Sequence, residues 1–279
     1  MWTFLMSRSK SHFSDTQILS RIKKGYGQGE GSQYTPWLKV QDVPSSGRSH
    51  RVYSHKTNRV HHLLSDLELT VFLLLEWQSD VIDIREQFPL KLEDTLQIAY
   101  VKQIKHPSMR GVNQVMSSDF LVNCNNKLFN QFAIQVKSAE ALNDKRTLEK
   151  LEIERSYWAQ KSIPWFIFTD KEVNPIVKQN IEWLYAAKSS LEPALGLLEQ
   201  LPILKKHFNE KPQQLIVSLC KSLDIAYHQE PGQSLQDIRV LIANGFIKFD
   251  LYQKFNTCKC INLYICDVSD IQGLQYVAS

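Results

Sequence analysis

The sequence predicts an α/β domain built around a mixed sheet, followed by a smaller and mainly α-helical domain. Two observations support this prediction. Between residues 65 and 169, apolar runs of strand length alternate with segments whose apolar residues recur at helical spacing. Beyond residue 172, short helical segments dominate, and strand-like runs return only near the end. A chain of 279 residues with 43% hydrophobic residues can supply a core for each domain.

The elements of the first domain follow from local patterns. Ser65 precedes an apolar run and Glu68 comes three residues later, which is the capping box that begins a helix. Turn-forming residues at 124–127 separate two alternating runs and predict a hairpin. In chain order, the predicted elements are a helix at 65–77, a strand at 81–88, a polar connection, hairpin strands at 116–123 and 128–137, a helix at 147–160 and a strand at 163–169.

The second domain is expected to begin near Glu172, because Asn174 and Pro175 are typical of the start of the next helix. We therefore divide the chain into domains 1–171 and 172–279. Ser234 is expected to be an N-cap and Gly245 a helix stop. The predicted elements are helices at 176–188, 193–201, 213–223 and 234–243, then strands at 246–252 and 260–266. Helices followed by a hairpin give a winged-helix outline.

Three segments of the first domain carry residues suited to cutting a phosphodiester. Asp119 lies on the first hairpin strand, Gln135 and Lys137 end the second, and Glu68 lies on the upstream helix. Carboxylates supply the hard oxygen ligands that hold Mg²⁺, and a nearby cation steadies the attacking water and the developing charge. Because side chains alternate along a strand, Gln135 and Lys137 share one face, and the apolar residues between them take the other. One face is expected to pack and the other to do chemistry.

Each of these residues also has a structural interpretation. Glu68 completes a capping box, so its role can be to bond the Ser65 backbone N–H. Asp119 near the start of a strand is typical of a turn or an edge, and Gln135 with Lys137 is typical of a solvated strand end. From the pattern alone, both interpretations stay open.

The positive charge of the chain is concentrated near its beginning. The formal charge of +4 divides unevenly, since residues 1–62 hold ten Lys and Arg against three acids, whereas residues 63–279 hold 23 against 26. Arg48, Arg51, Lys56 and Arg59 interleave with Ser and Tyr, a composition suited to contacting DNA phosphates without reading bases. Such binding weakens steeply with salt. A solvated basic face is the alternative.

Several other segments receive structural interpretations. Apolar runs such as 69–75 are far shorter than the roughly 20 residues of a membrane span, and residues 1–6 are too short for a signal-peptide core, so we expect a cytoplasmic protein without membrane contact.

Five cysteines without paired spacing argue against a disulfide framework and against structural zinc. The histidines at 50, 55, 61 and 62 lack the companion residues of a metal site, and those at 61 and 62 are expected to pack or to contact DNA. The glycine-rich stretch at 25–31 is expected to be a flexible loop.

Six segments spread along the chain carry a family resemblance. They are PSSGRSHR at 44–51, HHLLSDLE at 61–68, DIREQFP at 83–89, QVK at 135–137, IPWFIFTD at 163–170 and ANGFIKF at 243–249. The chain resembles TnsA, the endonuclease subunit of heteromeric Tn-seven-type transposases. The resemblance implies a restriction-endonuclease-like domain followed by a winged-helix domain.

The resemblance also implies a catalytic set, consisting of Glu68, Asp119, Gln135 and Lys137. Glu68, Asp119 and Gln135 would be the metal ligands for Mg²⁺, and Mn²⁺ is expected to substitute. The broader nuclease superfamily more often has Pro before the Asp and an acid in place of Gln135, whereas this chain has Ser118 and the amide. Without that acid, the number of metal ions stays open.

The implied function is hydrolysis of one DNA strand, at the 5′ ends of a transposon, during cut-and-paste transposition. The implied partners are DNA, a TnsB-like strand transferase and a TnsC-like ATP-dependent regulator. The candidate recognition helix of the second domain offers only Arg239 as a cation, so we expect it to dock protein rather than to read bases. The alternatives are a free-standing restriction or junction-resolving nuclease and a non-catalytic DNA-binding adaptor.

Overall fold

A computed structural model describes residues 12–43, 48–188 and 191–266 of the chain. The chain divides between Val173 and Asn174 into two compact units. The segment at 1–6, and Ser45 and Ser46 of the basic segment, lie outside the described residues. No helix in the described ranges is long and apolar enough to cross a bilayer.

The first unit contains the regular elements that the sequence predicts and several more. Its helices are α1 (Asp15–Lys23), α2 (Asp66–Trp77), α3 (Leu92–Val101) and α4 (Lys145–Gln160). Its strands are β1 (His50–Ser54), β2 (Arg59–Leu63), β3 (Val81–Pro89), β4 (Ser108–Met109), β5 (Val112–Asn113), β6 (Ser117–Cys124), β7 (Gln131–Val136) and β8 (Trp165–Phe168).

The central sheet has four strands in the order β3, β6, β7 and β8. Strand β6 pairs antiparallel with both β3 and β7, whereas β7 and β8 run parallel because helix α4 provides the crossover between them. Phe120 lies opposite Ile134, and Gln135 lies opposite Ile167. The predicted mixed sheet is therefore confirmed.

Both faces of this sheet are buried, which corrects the expectation that one face packs and the other does chemistry. Leu121 and Ala133, on the face that also carries Asp119 and Gln135, join a core cluster with residues of α3 and α4. Phe120 and Ile134, on the opposite face, are buried as well. The candidate site residues Asp119 and Gln135 therefore lie on a face of the sheet that is also packed against the core.

The glycine-rich stretch at 25–31, predicted to be a flexible loop, is packed against strand β3 at Gly27. Gly27 adopts φ +77°, and a Cβ placed there would lie 2.1 Å from Cγ of Pro89. Its backbone N–H also donates to the carbonyl of Thr35. Only glycine satisfies both the positive φ and the close approach to β3, so this loop is part of the fold.

The second unit is mainly helical. Its elements are α5 (Pro175–Tyr185), α6 (Leu191–Gly196), α7 (Leu201–Glu210), α8 (Ile216–Ala226), α9 (Gln233–Ala243), β9 (Ile247–Lys248) and β10 (Tyr264–Ile265), and the two strands pair antiparallel. These strands are much shorter than the predicted ones at 246–252 and 260–266. Backbone carbonyls of Leu251 and Gln253 accept hydrogen bonds from the Asn180 side chain instead of from a ladder.

Helix α9 begins differently from the prediction. Its N-cap is Gly232, with φ +95°, rather than Ser234. The carboxylate of Asp224 on α8 accepts hydrogen bonds from the backbone N–H groups of both Gly232 and Ser234. The Asp224 carboxylate therefore satisfies the first N–H groups of α9, as the side chain of a local N-cap residue would. Because Asp224 lies on another helix, the sequence around Ser234 does not reveal this contact.

Candidate active site

Glu68 lies at the start of α2, where it does two things at once. Ser65 is the N-cap, and its hydroxyl oxygen accepts the Glu68 backbone N–H, as predicted. The Glu68 side chain reaches back one residue further than expected, because its Oε2 accepts the backbone N–H of Leu64 at 2.9 Å. The same carboxylate is buried and faces Asp119. Capping and a place in the candidate site are thus compatible.

Asp119 connects the predicted residues of the site. Its Oδ2 accepts hydrogen bonds from Gln135 Nε2 and from the backbone N–H of Val136, both at 2.7 Å. Lys137 Nζ lies 3.7 Å from the same oxygen. The pairing of β6 with β7 ends at Phe120, so the Asp119 carboxylate lies where the ladder stops and can reach the end of β7.

The side chain of Gln135 carries a buried oxygen without a partner among the described residues. Its Nε2 donates to Asp119, and its Oε1 accepts no hydrogen bond from residues 12–43, 48–188 or 191–266. A buried amide oxygen without a partner is costly, so such atoms call for an explanation. A ligand that contacts Gln135 Oε1 would explain why this oxygen is buried without a partner.

Lys137 provides the only partly exposed charge among the four predicted residues. Its Nζ donates to the Val136 carbonyl at 2.9 Å, and about a third of its side chain is exposed. The long contact with Asp119 leaves the ammonium free to turn towards a molecule that enters from solvent. The structure therefore brings Glu68, Asp119, Gln135 and Lys137 together.

The electrostatics of the site favour binding a cation. Burial raises the pKa of Glu68 well above its usual range, and the nearby charge of Asp119 raises it further. Two buried carboxylates in one site resist double ionisation. A divalent cation would remove that penalty, since it neutralises both.

Two side chains that the sequence reasoning missed belong to this region. Gln87 of β3 donates from Nε2 to Glu68 Oε2 at 3.3 Å and to Asp119 Oδ1 at 3.2 Å, so it links the two carboxylates. Glu154 of α4 accepts from the Ser118 hydroxyl at 2.6 Å, and burial raises the pKa of Glu154 to about 7. Gln87 falls within the segment at 83–89 that carries the family resemblance, but that segment gives it no role, and no local pattern marks Glu154.

The basic residues upstream divide into inward and outward groups. The Arg59 guanidinium is held inside the fold by both oxygens of Glu86, at 2.5 and 2.8 Å, and by the carbonyl of Ile84. Lys56 Nζ donates to the backbone carbonyls of Gln78 and Val81. Both side chains are engaged in contacts within the unit, and the prediction that they bind DNA phosphates stays a prediction.

Arg48 and Arg51 remain at the surface. Arg48 is highly exposed and forms a 3.2 Å ion pair with Asp66 at the start of α2. Arg51 is exposed on β1. Of the four predicted DNA-binding residues, these two keep a geometry that suits phosphate contact, because exposed guanidinium groups can exchange a weak ion pair for a phosphate.

The residues present can do metal-assisted chemistry on an anionic substrate. Across residues 12–43, 48–188 and 191–266, no group of three or more His, Cys, Asp or Glu forms a metal cluster. The site offers two carboxylates and an amide oxygen. This set suits Mg²⁺, which is commonly held by one or two carboxylates together with waters and substrate phosphates.

Comparison with known proteins identifies the family of the chain. Two family models match, the TnsA-like endonuclease N terminal over residues 78–170 and the TnsA endonuclease C terminal over residues 172–251. The transposition protein TnsA of transposon Tn7 from Escherichia coli is 61% identical over 274 residues, which covers 98% of this chain and 100% of that protein. The chain belongs to the TnsA endonuclease family.

In this TnsA-family endonuclease, the candidate site lies across the limit of the N-terminal family match. Asp119, Gln135 and Lys137 fall within residues 78–170, whereas Glu68 lies ten residues upstream of that range. The similarity to the Tn7 protein spans almost the whole chain. The four predicted residues therefore sit within a region of close overall similarity.

Proposed function

We propose that this protein is a Mg²⁺-dependent DNA endonuclease that hydrolyses one strand at the 5′ ends of a transposon during cut-and-paste transposition. The observation that carries the proposal is the meeting of Glu68, Asp119, Gln135 and Lys137 in one buried site in a TnsA-family chain. The combination of paired carboxylates, an unpartnered amide oxygen and a lysine suits phosphodiester hydrolysis.

The metal ligands in this proposal are Glu68, Asp119 and the Oε1 atom of Gln135. The unpartnered state of Oε1 supports this choice, because a cation would satisfy it. Mn²⁺ should bind the same oxygen ligands. When bound, such a cation acts as a Lewis acid on the phosphate and makes an adjacent water more acidic.

The protein residues then position the substrate and the water. Lys137 Nζ turns from Asp119 towards the scissile phosphate, where it stabilises the charge that develops in the transition state. The Val136 N–H and the Gln135 Nε2 fix the Asp119 carboxylate, so it does not have to reorganise during the reaction. A histidine base has no part in this scheme.

The second unit is proposed to be a winged-helix module that docks on partner proteins. Arg239, the only cation of α9, donates to the Trp183 carbonyl at 2.5 and 2.9 Å, so its guanidinium is not available to read bases. The partners we propose are a TnsB-like strand transferase and a TnsC-like ATP-dependent regulator. The complex would act on DNA in the cytoplasm, with Arg48 and Arg51 contacting phosphates.

Nicking of a mini-transposon plasmid tests this proposal. Wild type, Asp119→Ala and Lys137→Ala are each assayed with Mg²⁺, with and without the strand transferase and the regulator. Lys161→Ala is the matched control, since Lys161 forms a surface ion pair with Asp94 on a different part of the unit. Wild type and the control should cut at the 5′ ends with partners present, and the two site variants should lose at least about a hundredfold in rate.

Two other results would contradict the proposal, and each would support one of the alternative functions. Equal cutting by wild type, Asp119→Ala and Lys137→Ala would mean that another subunit cuts and that this protein is a DNA-binding adaptor. Cutting by wild type without partners, lost in the two site variants, would indicate a free-standing nuclease. Protein binding to DNA is measured for every variant, so that lost cutting is separated from lost binding.

A further inference from the structure

Gln87 holds the two carboxylates of the candidate site together. Its Nε2 lies 3.3 Å from Glu68 Oε2 and 3.2 Å from Asp119 Oδ1, and one amide group thus donates to both. The side chain is almost completely buried, with 2% of its surface exposed. Gln135 and Val136 donate to Asp119 Oδ2, whereas Gln87 donates to Oδ1 and reaches Glu68 with the same amide group.

The backbone of Gln87 is held in an unusual conformation. Its φ is +48°, in the left-handed region that non-glycine residues rarely adopt inside a strand. The Trp37 N–H donates to the Gln87 carbonyl, and the preceding Glu86 is anchored by Arg59. A strained backbone in a strand persists only when its surroundings hold it, and such positions concentrate at functional sites.

The Gln87 amide donates to the same two carboxylates that would hold a cation. The amide is a neutral donor, so it only partly offsets the charge of the pair. A divalent cation held by Glu68 and Asp119 would neutralise both carboxylates. Hydrogen bonds to carboxylates are strongest while their charge is uncompensated, so the contacts from Gln87 would weaken when a cation binds.

Ser117 allows the amide to change its orientation. In the present arrangement, the Ser117 hydroxyl donates to Gln87 Oε1 at 3.2 Å. A hydroxyl can donate or accept, so after a half-turn of the amide the same Ser117 oxygen accepts from Nε2. The amide oxygen would then face the site, where it can accept from water on the cation.

We propose that Gln87 is a positioning residue, which holds Glu68 and Asp119 together in the metal-free site and releases them when a divalent cation binds. This inference rests on the metal site proposed above. Gln87 stabilises the metal-free state more than the bound state. Removal of its amide therefore favours metal binding.

The test is Mn²⁺ binding by the full chain, measured by calorimetry, together with thermal unfolding with and without saturating Mn²⁺. Gln87→Met keeps the length and the apolar part of the side chain but removes the amide. It should bind Mn²⁺ about tenfold more tightly than wild type, since hydrogen bonds to charged groups in the free state are lost. Its Tm should fall without metal and return close to the wild-type value with Mn²⁺.

Gln131→Met is the matched control. Gln131 is a half-buried glutamine of β7 that donates to Asn123 outside the site. The Tm of the Gln131→Met variant should fall equally with and without Mn²⁺, and the Mn²⁺ affinity of this variant should be unchanged. Gln87→Glu is the second site variant in case Gln87→Met does not fold, and it should also bind Mn²⁺ more tightly, because an acceptor replaces the competing donor.

The outcomes distinguish a failure of this inference from a failure of the proposed metal site. Asp119→Asn should lose Mn²⁺ binding. If wild type and Asp119→Asn bind Mn²⁺ equally, the proposed metal site is wrong and the role of Gln87 falls with it. If Asp119→Asn loses binding but Gln87→Met behaves like Gln131→Met, the metal site stands and Gln87 is only a structural residue. Weaker binding by Gln87→Met would also overturn the inference.

Discussion

Two sets of buried carboxylates lie near each other in the first unit, and they are satisfied in opposite ways. Glu86 is completely buried, and its oxygens contact Arg59, His61 and the His62 backbone N–H. Burial alone would raise the pKa of Glu86, but His61 and Arg59 lower it to about 2. Glu68 and Asp119 instead meet neutral donors and a distant lysine, and burial raises the pKa of Glu68.

In our proposal, this difference separates a structural carboxylate from one that binds a ligand. Arg59 and His61 contact Glu86 within the fold, so the protein itself compensates the charge of this carboxylate. Around Glu68 and Asp119 the compensation is incomplete, and the nearby Gln135 oxygen is also unpartnered. Incomplete compensation in a buried cluster indicates that a cation from outside completes it.

The largest expected effect comes from breaking the compensated cluster. Arg59→Met removes the guanidinium that bonds both oxygens of the buried Glu86, and should reduce the free energy of unfolding by about 3–5 kcal/mol. Arg51→Met, on the exposed side of β1, should change it by less than about 0.5 kcal/mol. Urea denaturation of both variants measures this, and a loss below about 1 kcal/mol for Arg59→Met would show that the cluster does not hold the fold.

Glu154 provides an intermediate case, because it is buried and has only neutral donors. Its pKa is raised to about 7, so the native state keeps a proton that the unfolded chain has lost above its ordinary pKa. The resulting stability is complete at low pH and is lost as the pH rises through 7. Relative to Glu154→Gln, the wild type should lose up to about 3 kcal/mol of unfolding free energy between pH 5 and 8. A constant difference between the two proteins across this range would contradict the shift.

The affinity for metal should rise with pH, whereas the contribution of Glu154 to stability falls with pH. Glu68 has a raised pKa, so near neutral pH a proton competes with the cation. Mn²⁺ affinity should therefore rise by up to about tenfold per pH unit, about 1.4 kcal/mol, and level off above the pKa of Glu68. Calorimetric titrations from pH 6 to pH 9 measure this dependence, with Glu154→Gln as the control that keeps it. A flat affinity across the range would show that Glu68 does not bind the metal.

The smallest effects concern the arginines. Arg48→Ala and Arg51→Ala should each weaken binding to any DNA sequence and reduce the slope of log affinity against log salt by about 0.9. Lys161→Ala should leave the slope unchanged. Fluorescence anisotropy at several salt concentrations measures the slope, and slopes equal to that of wild type for both arginine variants would remove this surface from the DNA interface.

Much of the first unit is predictable from the sequence because its elements have local signals. Strands β6 and β7 show apolar alternation and a turn between them, and helix α2 has its capping box. Helix α3 is not predicted, although Thr95, Ile98 and Ala99 are buried at helical spacing, because charged and polar residues obscure this short stripe. The hairpin of β1 and β2 is not predicted either, because its basic composition suggests a surface.

Other features cannot be read from the sequence, because they depend on contacts across the fold. Arg48 and Arg59 have the same chemistry and similar neighbours, but only tertiary packing directs Arg59 onto Glu86. Gln87 and Glu154 join the candidate site from β3 and α4; the resemblance at 83–89 covers Gln87 without giving it a role, and no motif marks Glu154. The predicted strands of the second unit are too long because an apolar run does not reveal that a side chain such as Asn180 has taken the backbone partners.

The double role of Glu68 makes the beginning of helix α2 a reporter of the site. Its Oε2 accepts the Leu64 N–H, and the same carboxylate is a proposed ligand of the metal. A cation bound to this oxygen would draw electron density from it and would weaken the hydrogen bond from the Leu64 N–H. The start of helix α2 would then be held less firmly. The amide hydrogen of Leu64 should therefore exchange with solvent faster when Mn²⁺ is bound, which gives a single backbone atom as a signal of occupancy.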